Sequence, residues 1–109
     1  MKLVTATIRT FKLQDVQDVL AKMGIAAFNV LEAKRFGPQT APTDLHRGIE
    51  YSSHLVPKIR VEVVVSDSLV ETLVDAITQV ARTNDPGDGE IIVTSVAFRV
   101  GIHSGTKEF

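Results

Sequence analysis

Polar and apolar residues alternate almost from the start of the chain. Across residues 3–9, Val4, Ala6 and Ile8 fall on one side, and Thr5, Thr7 and Arg9 on the other. A period of two predicts a strand with one strongly apolar face. The period then changes: Val16, Val19, Leu20 and Met23 recur at helical spacing, and Gly24 follows them as a C-terminal cap. Residues 26–36 read as a second strand, with Phe28, Val30 and Leu31 apolar and charges gathering toward its end. Alternation returns over residues 58–65, where Ile59, Val61, Val63 and Val65 oppose Arg60 and Glu62. Ser68 and Glu71 have the spacing of a capping box, and Val70, Leu73, Val74, Ile77, Val80 and Ala81 make the apolar stripe of a second helix. Ile91, Ile92, Val93 and Val96 predict a fourth strand, and residues 98–109 read as an extension or loop.

The order is strand, helix, strand, then a pattern-free segment at 37–56, then strand, helix, strand. Two such units predict an α+β fold of the ferredoxin-like kind. Its four strands form one antiparallel sheet with both helices on one face. Thr5, Thr7, Arg60 and Glu62 then lie on the uncovered face, which a domain this small is expected to hide in an oligomer. The segment between the halves is turn-rich at Gly37-Pro38-Gln39-Thr40-Ala41-Pro42. Loops of that length inside a small domain tend to carry binding residues.

Composition narrows the class. A chain of 109 residues with 44% apolar content is one domain with a packed core. Its net charge of −1 lacks the basic footprint of a nucleic-acid binder. The absence of cysteine excludes disulfides, thiolate nucleophiles and cysteine zinc sites, and fits a cytoplasmic protein. The first residues lead directly into a strand pattern without a signal-peptide layout, and no apolar run is long enough to insert in a bilayer.

Candidate chemistry gathers at residues 83–93, where a helix pattern runs into Gly87-Asp88-Gly89 and a strand leaves it. Glycine permits positive φ and close approach to the main chain. Successive N–H groups in such a turn can converge on an anion, phosphate above all. A plain helix-to-strand connection is the competing reading. His46 and His54 lack an obvious third ligand, so metal binding by them is disfavoured. The spacing shows no Ser-His-Asp constellation or carboxylate pair.

The ordered motifs resemble the PII signal-transduction proteins over nearly the whole chain. Residues 1–6 with Phe11-Lys12-Leu13 look like the family's first strand and helix start. Phe36-Gly37-x-Gln39 looks like the base of its long T-loop, here about 37–56, and Arg47-Gly48-x-Glu50-Tyr51 sits at the T-loop tip. Pro57-Lys58 with residues 61–65 is similar to the third strand. Ala81-Arg82-Thr83 and Gly87-Asp88-Gly89 are similar to the B-loop, about 82–90, and a C-terminal segment spans about 98–109. The resemblance implies a homotrimer with an adenine nucleotide in the clefts between subunits. It also implies 2-oxoglutarate and magnesium as co-ligands, and a protein target, by family habit a membrane transporter, reached through the T-loop. By the same resemblance, Thr7, Phe36, Glu62 and Val64 surround the base, with Glu62 contacting it. Gly37, Gln39, Gly87, Asp88, Gly89, Glu90, Gly101 and His103 occupy the other nucleotide positions. Gln39 would help hold magnesium, and Lys58 with Gln39 would hold an acidic effector. Arg47, Glu50 and Tyr51 would meet the partner.

The chain departs from the family where phosphate is held. A basic residue usually follows Gly-Asp-Gly, where Glu90 stands. Two arginines usually occupy the positions of Gly101 and His103, and Pro38 replaces another. Hydrogen bonds to charged groups contribute roughly 1.5–3 kcal/mol each. At about 1.4 kcal/mol per decade, losing three would weaken triphosphate binding by several decades. His103 would carry charge only when protonated. The expectation is a PII-like regulator that takes ADP or AMP rather than ATP. The alternative is a PII-fold binding module that engages its partner constitutively or responds to a different small anion.

Overall fold

A computed structural model of the chain describes residues 1–36 and 55–109. Strand β1 (Lys2–Arg9) passes through a 3-10 turn at Thr10–Lys12 into helix α1 (Leu13–Lys22). Strand β2 (Asn29–Phe36) precedes β3 (Leu55–Val65). A second 3-10 turn, Asp67–Leu69, opens helix α2 (Val70–Ala81). A third, Pro86–Asp88, leads into β4 (Gly89–Ser95), and β5 (Arg99–Val100) and β6 (Lys107–Glu108) end the chain. The large sheet has the order β2-β3-β1-β4, with every neighbouring pair antiparallel. This is the ferredoxin-like α+β fold that the hydrophobic pattern predicts.

Register explains why one face is apolar. Val4 lies between Val63 and Val93, and Ala6 between Val61 and Ile91. Helix α1 adds Val16 and Leu20 to that face, and α2 adds Leu73, Ile77 and Ala81; all are buried. Fully burying each large aliphatic side chain stabilises the fold by about 1.5–3 kcal/mol. Gly24, with φ of 77°, ends α1 as expected: its N–H donates to Ala21 O, and Ile25 N–H reaches back to Leu20 O at 2.9 Å.

Four local expectations are corrected. The Ser68–Glu71 capping box does not form. Residues 67–69 are a 3-10 turn, Leu69 N–H bonds Ser66 O at 3.0 Å, and Leu69 itself stands at the N-cap. The same turn also takes Val70 N–H, which bonds Asp67 O and is a donor that a Ser68 side-chain cap would otherwise take. Strand β2 starts at Asn29 rather than residue 26. Strand β3 starts at Leu55 rather than residue 58, so Leu55 and Val56 belong to the sheet and not to the loop. Pro57 is accommodated because β1 ends at Arg9, opposite Lys58, which leaves β3 one free side. The C-terminal segment is a hairpin. Arg99 pairs with Glu108 at 2.6 Å, and the Phe98 and Phe109 rings lie 5.7 Å apart.

The face away from the helices carries two rows across the strands: Leu31, Arg60, Thr7 and Glu90, then Asn29, Glu62, Thr5 and Ile92. Leu31 and Ile92 are exposed there, and Arg60 Nε is buried without a hydrogen-bond partner among the described residues. Among the described residues, no helix is long and apolar enough to cross a membrane.

Candidate functional site

Helix α2 stops where Arg82 turns extended, its N–H still bonded to Thr78 O at 3.1 Å. Asn84 takes a positive φ of 71°, and the chain folds back through Pro86–Asp88. The Asp88 side chain organises this loop. Its carboxylate accepts from Thr83 N at 2.7 Å, Asn84 N at 3.0 Å and the Thr83 hydroxyl. Arg9 Nε donates from 2.8 Å, and Asp85 N–H is a longer contact at 3.4 Å. The N–H groups that hold this carboxylate are those of residues 83–85, upstream of the Gly87-Asp88-Gly89 turn whose N–H groups the sequence offers to an anion. Burial pushes the Asp88 carboxyl up. The hydrogen bonds from Thr83, Arg9 and the Asp85 N–H outweigh that and hold it well below the usual carboxylate range.

Gly89 is required by its surroundings. Its φ is 115°, and a Cβ there would stand 1.9 Å from Thr7 O. Strand β4 therefore meets β1 at its first residue only because no side chain intervenes. Gly87, with φ of −86°, makes no such demand by its backbone angles.

Lys58 projects from the uncovered sheet face yet is only 2% exposed, because its ammonium donates to Gly87 O. Burial lowers its pKa, Arg9 and Arg35 lower it further by repulsion, and Asp88 partly offsets them. Thr7, Glu62 and Val64 share the same face: Thr7 sits between Arg60 and Glu90, Glu62 between Thr5 and Asn29, and Val64 opposite Leu3. Glu90 turns to Arg35, whose Nη1 is 3.1 Å from its Oε2. Phe36 closes β2 opposite Leu55, with most of its surface exposed.

The sheet therefore brings Thr7, Lys58, Glu62, Val64 and the 87–90 turn onto one face and one end. Gly101 and His103 are not part of that cluster. They lie in the turn of the C-terminal hairpin, whose paired residues Arg99 and Glu108 stand with Met1, Val65 and Asp67 at the other end of β1. Gly37, Gln39, Arg47, Glu50 and Tyr51 lie outside the described residues. So does the magnesium role expected of Gln39. Among the described residues, no three His, Asp or Glu side chains form a metal-binding group.

Sequence reasoning missed the roles of Arg9 and Arg35, and placed Thr83 in the B-loop without its bond to Asp88. Arg9 shares the parity of Thr7 along β1, which could have marked it as a neighbour of the turn. Arg35 carries no such signal, since its partner is 55 residues away.

Comparison with known proteins places these features. The family model described as "Nitrogen regulatory protein P-II" matches residues 1–105. The chain is 44% identical to nitrogen regulatory protein P-II of Klebsiella oxytoca over 108 residues, covering 99% of this chain and 96% of that one. It is equally similar, over the same shares, to nitrogen regulatory protein P-II 1 of Escherichia coli strain K12. It is 47% identical over 107 residues to the P-II protein of Azospirillum brasilense, covering 98% and 96% of the two chains. With its strand order, its glycine turn and matches of this extent, the chain belongs to the nitrogen regulatory protein P-II family.

Proposed function

We propose that this protein is a trimeric P-II signalling regulator, not an enzyme. It binds a small effector in the cleft between subunits and acts on a protein target through the segment beginning at residue 37. The family match over residues 1–105 carries this reading. The architecture supports the trimer. Arg60 Nε is buried and unpaired among the described residues, and exposed Leu31 and Ile92 lie on the same sheet face. A buried donor without a partner costs about 1–3 kcal/mol, a cost that a neighbouring subunit covering this face would remove. The hairpin and the glycine turn stand at opposite ends of β1, so a second copy would bring Gly101 and His103 to the cleft.

The effector is an adenine nucleotide, ADP or AMP rather than ATP, with 2-oxoglutarate and magnesium as co-ligands. Glu62, Thr7 and Val64 would face the base, and Lys58 and the 87–89 turn the acidic groups. Glu90, Gly101 and His103 leave the cleft poor in phosphate-binding cations, which favours fewer phosphates. Signalling is a population shift, in which the ligand must bind one state of the protein better than the other. Arg47, Glu50 and Tyr51 would meet the target, for which a membrane transporter is the expectation.

One observation favours a second reading. The Asp88 carboxylate already holds the backbone of residues 83–85, and Lys58 already bonds Gly87 O, so the loop is tied down without ligand. On that reading the protein binds its partner constitutively or senses another small anion. Calorimetric titration with ATP, ADP and AMP, each with and without magnesium and 2-oxoglutarate, separates the two. Saturable binding of ADP or AMP, with ATP weaker, is expected. No heat from any nucleotide, with an unchanged melting temperature, would transfer the weight to the second reading.

A further inference from the structure

Strand β2 ends at Phe36 and β3 begins at Leu55, so these strands form the stem from which residues 37–54 leave. Among the described residues, one ion pair ties that stem to the start of β4, between Arg35 Nη1 and Glu90 Oε2 at 3.1 Å, beside the Lys58 ammonium that donates to Gly87 O. In the sheet order, β3 and β1 separate the strands that carry the two residues. Arg35 therefore reaches across the uncovered face, over the region of Lys58 and Arg9. Lys58 feels both arginines as repulsive neighbours. Three cations thus gather at this end of the face, and Asp88 and Glu90 oppose them.

The two carboxylates are held very differently. Asp88 is locked by backbone N–H groups and the Thr83 hydroxyl as well as by Arg9, and its side chain is 21% exposed. Glu90 is 48% exposed and Arg35 42%, so their pair is largely solvated. A solvated pair shifts an equilibrium by about two- to fivefold. Asp88 is a fixed counter-ion, and Glu90 is an exchangeable one.

We infer that the Arg35–Glu90 pair is a latch between the β2–β3 stem and the start of β4. A small polyanion bearing a diphosphate opens it by taking Arg35 from Glu90. The inference rests on the reading of this cleft as an effector site. Guanidinium can grip a phosphate through two parallel hydrogen bonds, a stronger contact than the single one made to Glu90. Because the anion then binds the unlatched state better than the latched one, its binding is transmitted to the ends of β2 and β3.

Amide hydrogen exchange at residues 33–36, 55, 56 and 58 of the full chain tests this, with exchange in β1 as the control for intact folding. Glu90→Gln and Arg35→Glu should each raise exchange in the stem by about two- to fivefold. The charge-swapped double variant, Arg35→Glu with Glu90→Arg, should return it to within about twofold of the parent. Inorganic pyrophosphate, and separately ADP, should raise stem exchange in the parent and leave Glu90→Gln unchanged. Three results each overturn the inference: a Glu90→Gln variant that exchanges like the parent, a folded double variant that fails to recover, or a parent unmoved by either anion. A parent that shows the latch and responds to pyrophosphate, but binds no nucleotide by calorimetry, removes the nucleotide reading and leaves the latch standing.

Discussion

Replacing Asp88 with alanine should destabilise the protein before any ligand is considered. The carboxylate accepts from Thr83 N, Asn84 N, the Thr83 hydroxyl and Arg9 Nε. Each hydrogen bond to a charged group contributes about 1.5–3 kcal/mol. The terms do not add. Four donors share two oxygens, Asn84 is exposed enough to turn to water, and Arg9 has a second acidic neighbour in Asp85 at 3.9 Å. A net loss of about 2–4 kcal/mol is expected, a large part of a typical stability of about 5–15 kcal/mol. Urea unfolding followed by circular dichroism, at one fixed protein concentration, measures it. The pH dependence is the sharper check. Despite its burial, Asp88 is held well below the usual carboxylate range by Thr83, Arg9 and the loop N–H groups. Its stabilisation is therefore fully present above the unfolded-state pKa of about 3.9 and is lost as pH falls through the folded value. The gap between parent and variant should be constant above about pH 5 and narrow below about pH 4. A loss under about 0.5 kcal/mol at pH 7, or a gap that widens in acid, would refute the account of Asp88 as the organiser of this loop.

Three further outcomes follow from the same geometry. Gly89→Ala should cost about 3 kcal/mol or more, because φ is glycine-like and the new Cβ meets Thr7 O; an unchanged melting temperature would contradict the close approach of β4 to β1. Leu73→Ala, at a fully buried position of α2, should cost about 2–5 kcal/mol in urea unfolding, whereas a cost under about 1 kcal/mol would mean that α2 is not seated on the sheet as described. Ile92→Asp places a charge on the uncovered sheet face beside Thr5. Light scattering should then report a smaller particle than the parent, and equal masses would show that this face is not the one buried between subunits.

The path from sequence to site was uneven. Val4, Ala6, Ile8 and the α2 stripe announced the core because burial against one layer imposes a period on the sequence. Gly89 was visible as half of a glycine pair, but only the 1.9 Å approach of a Cβ to Thr7 O shows which glycine is obligatory. Glu90 stood out as an acid where the family usually has a base. Its pairing with Arg35 was invisible, since nothing local links residues 55 positions apart. The capping box failed for a related reason: Ser68 and Glu71 had the right spacing, but the chain enters α2 through a 3-10 turn that supplies its own hydrogen bond.

By itself the sequence determined the elements, their order and the family. Those depend on local periodicity, turn residues and ordered motifs, all written along the chain. The tertiary structure alone decided how the turn residues are used. The Asp88 carboxylate folds back onto the N–H groups of residues 83–85, Lys58 is buried on Gly87 O, and Arg35 crosses two strands to reach Glu90. These are choices of partner among several charges of similar kind. Sequence spacing cannot rank them, because Coulomb attraction and hydrogen-bond geometry depend on distances in space that only the assembled sheet fixes.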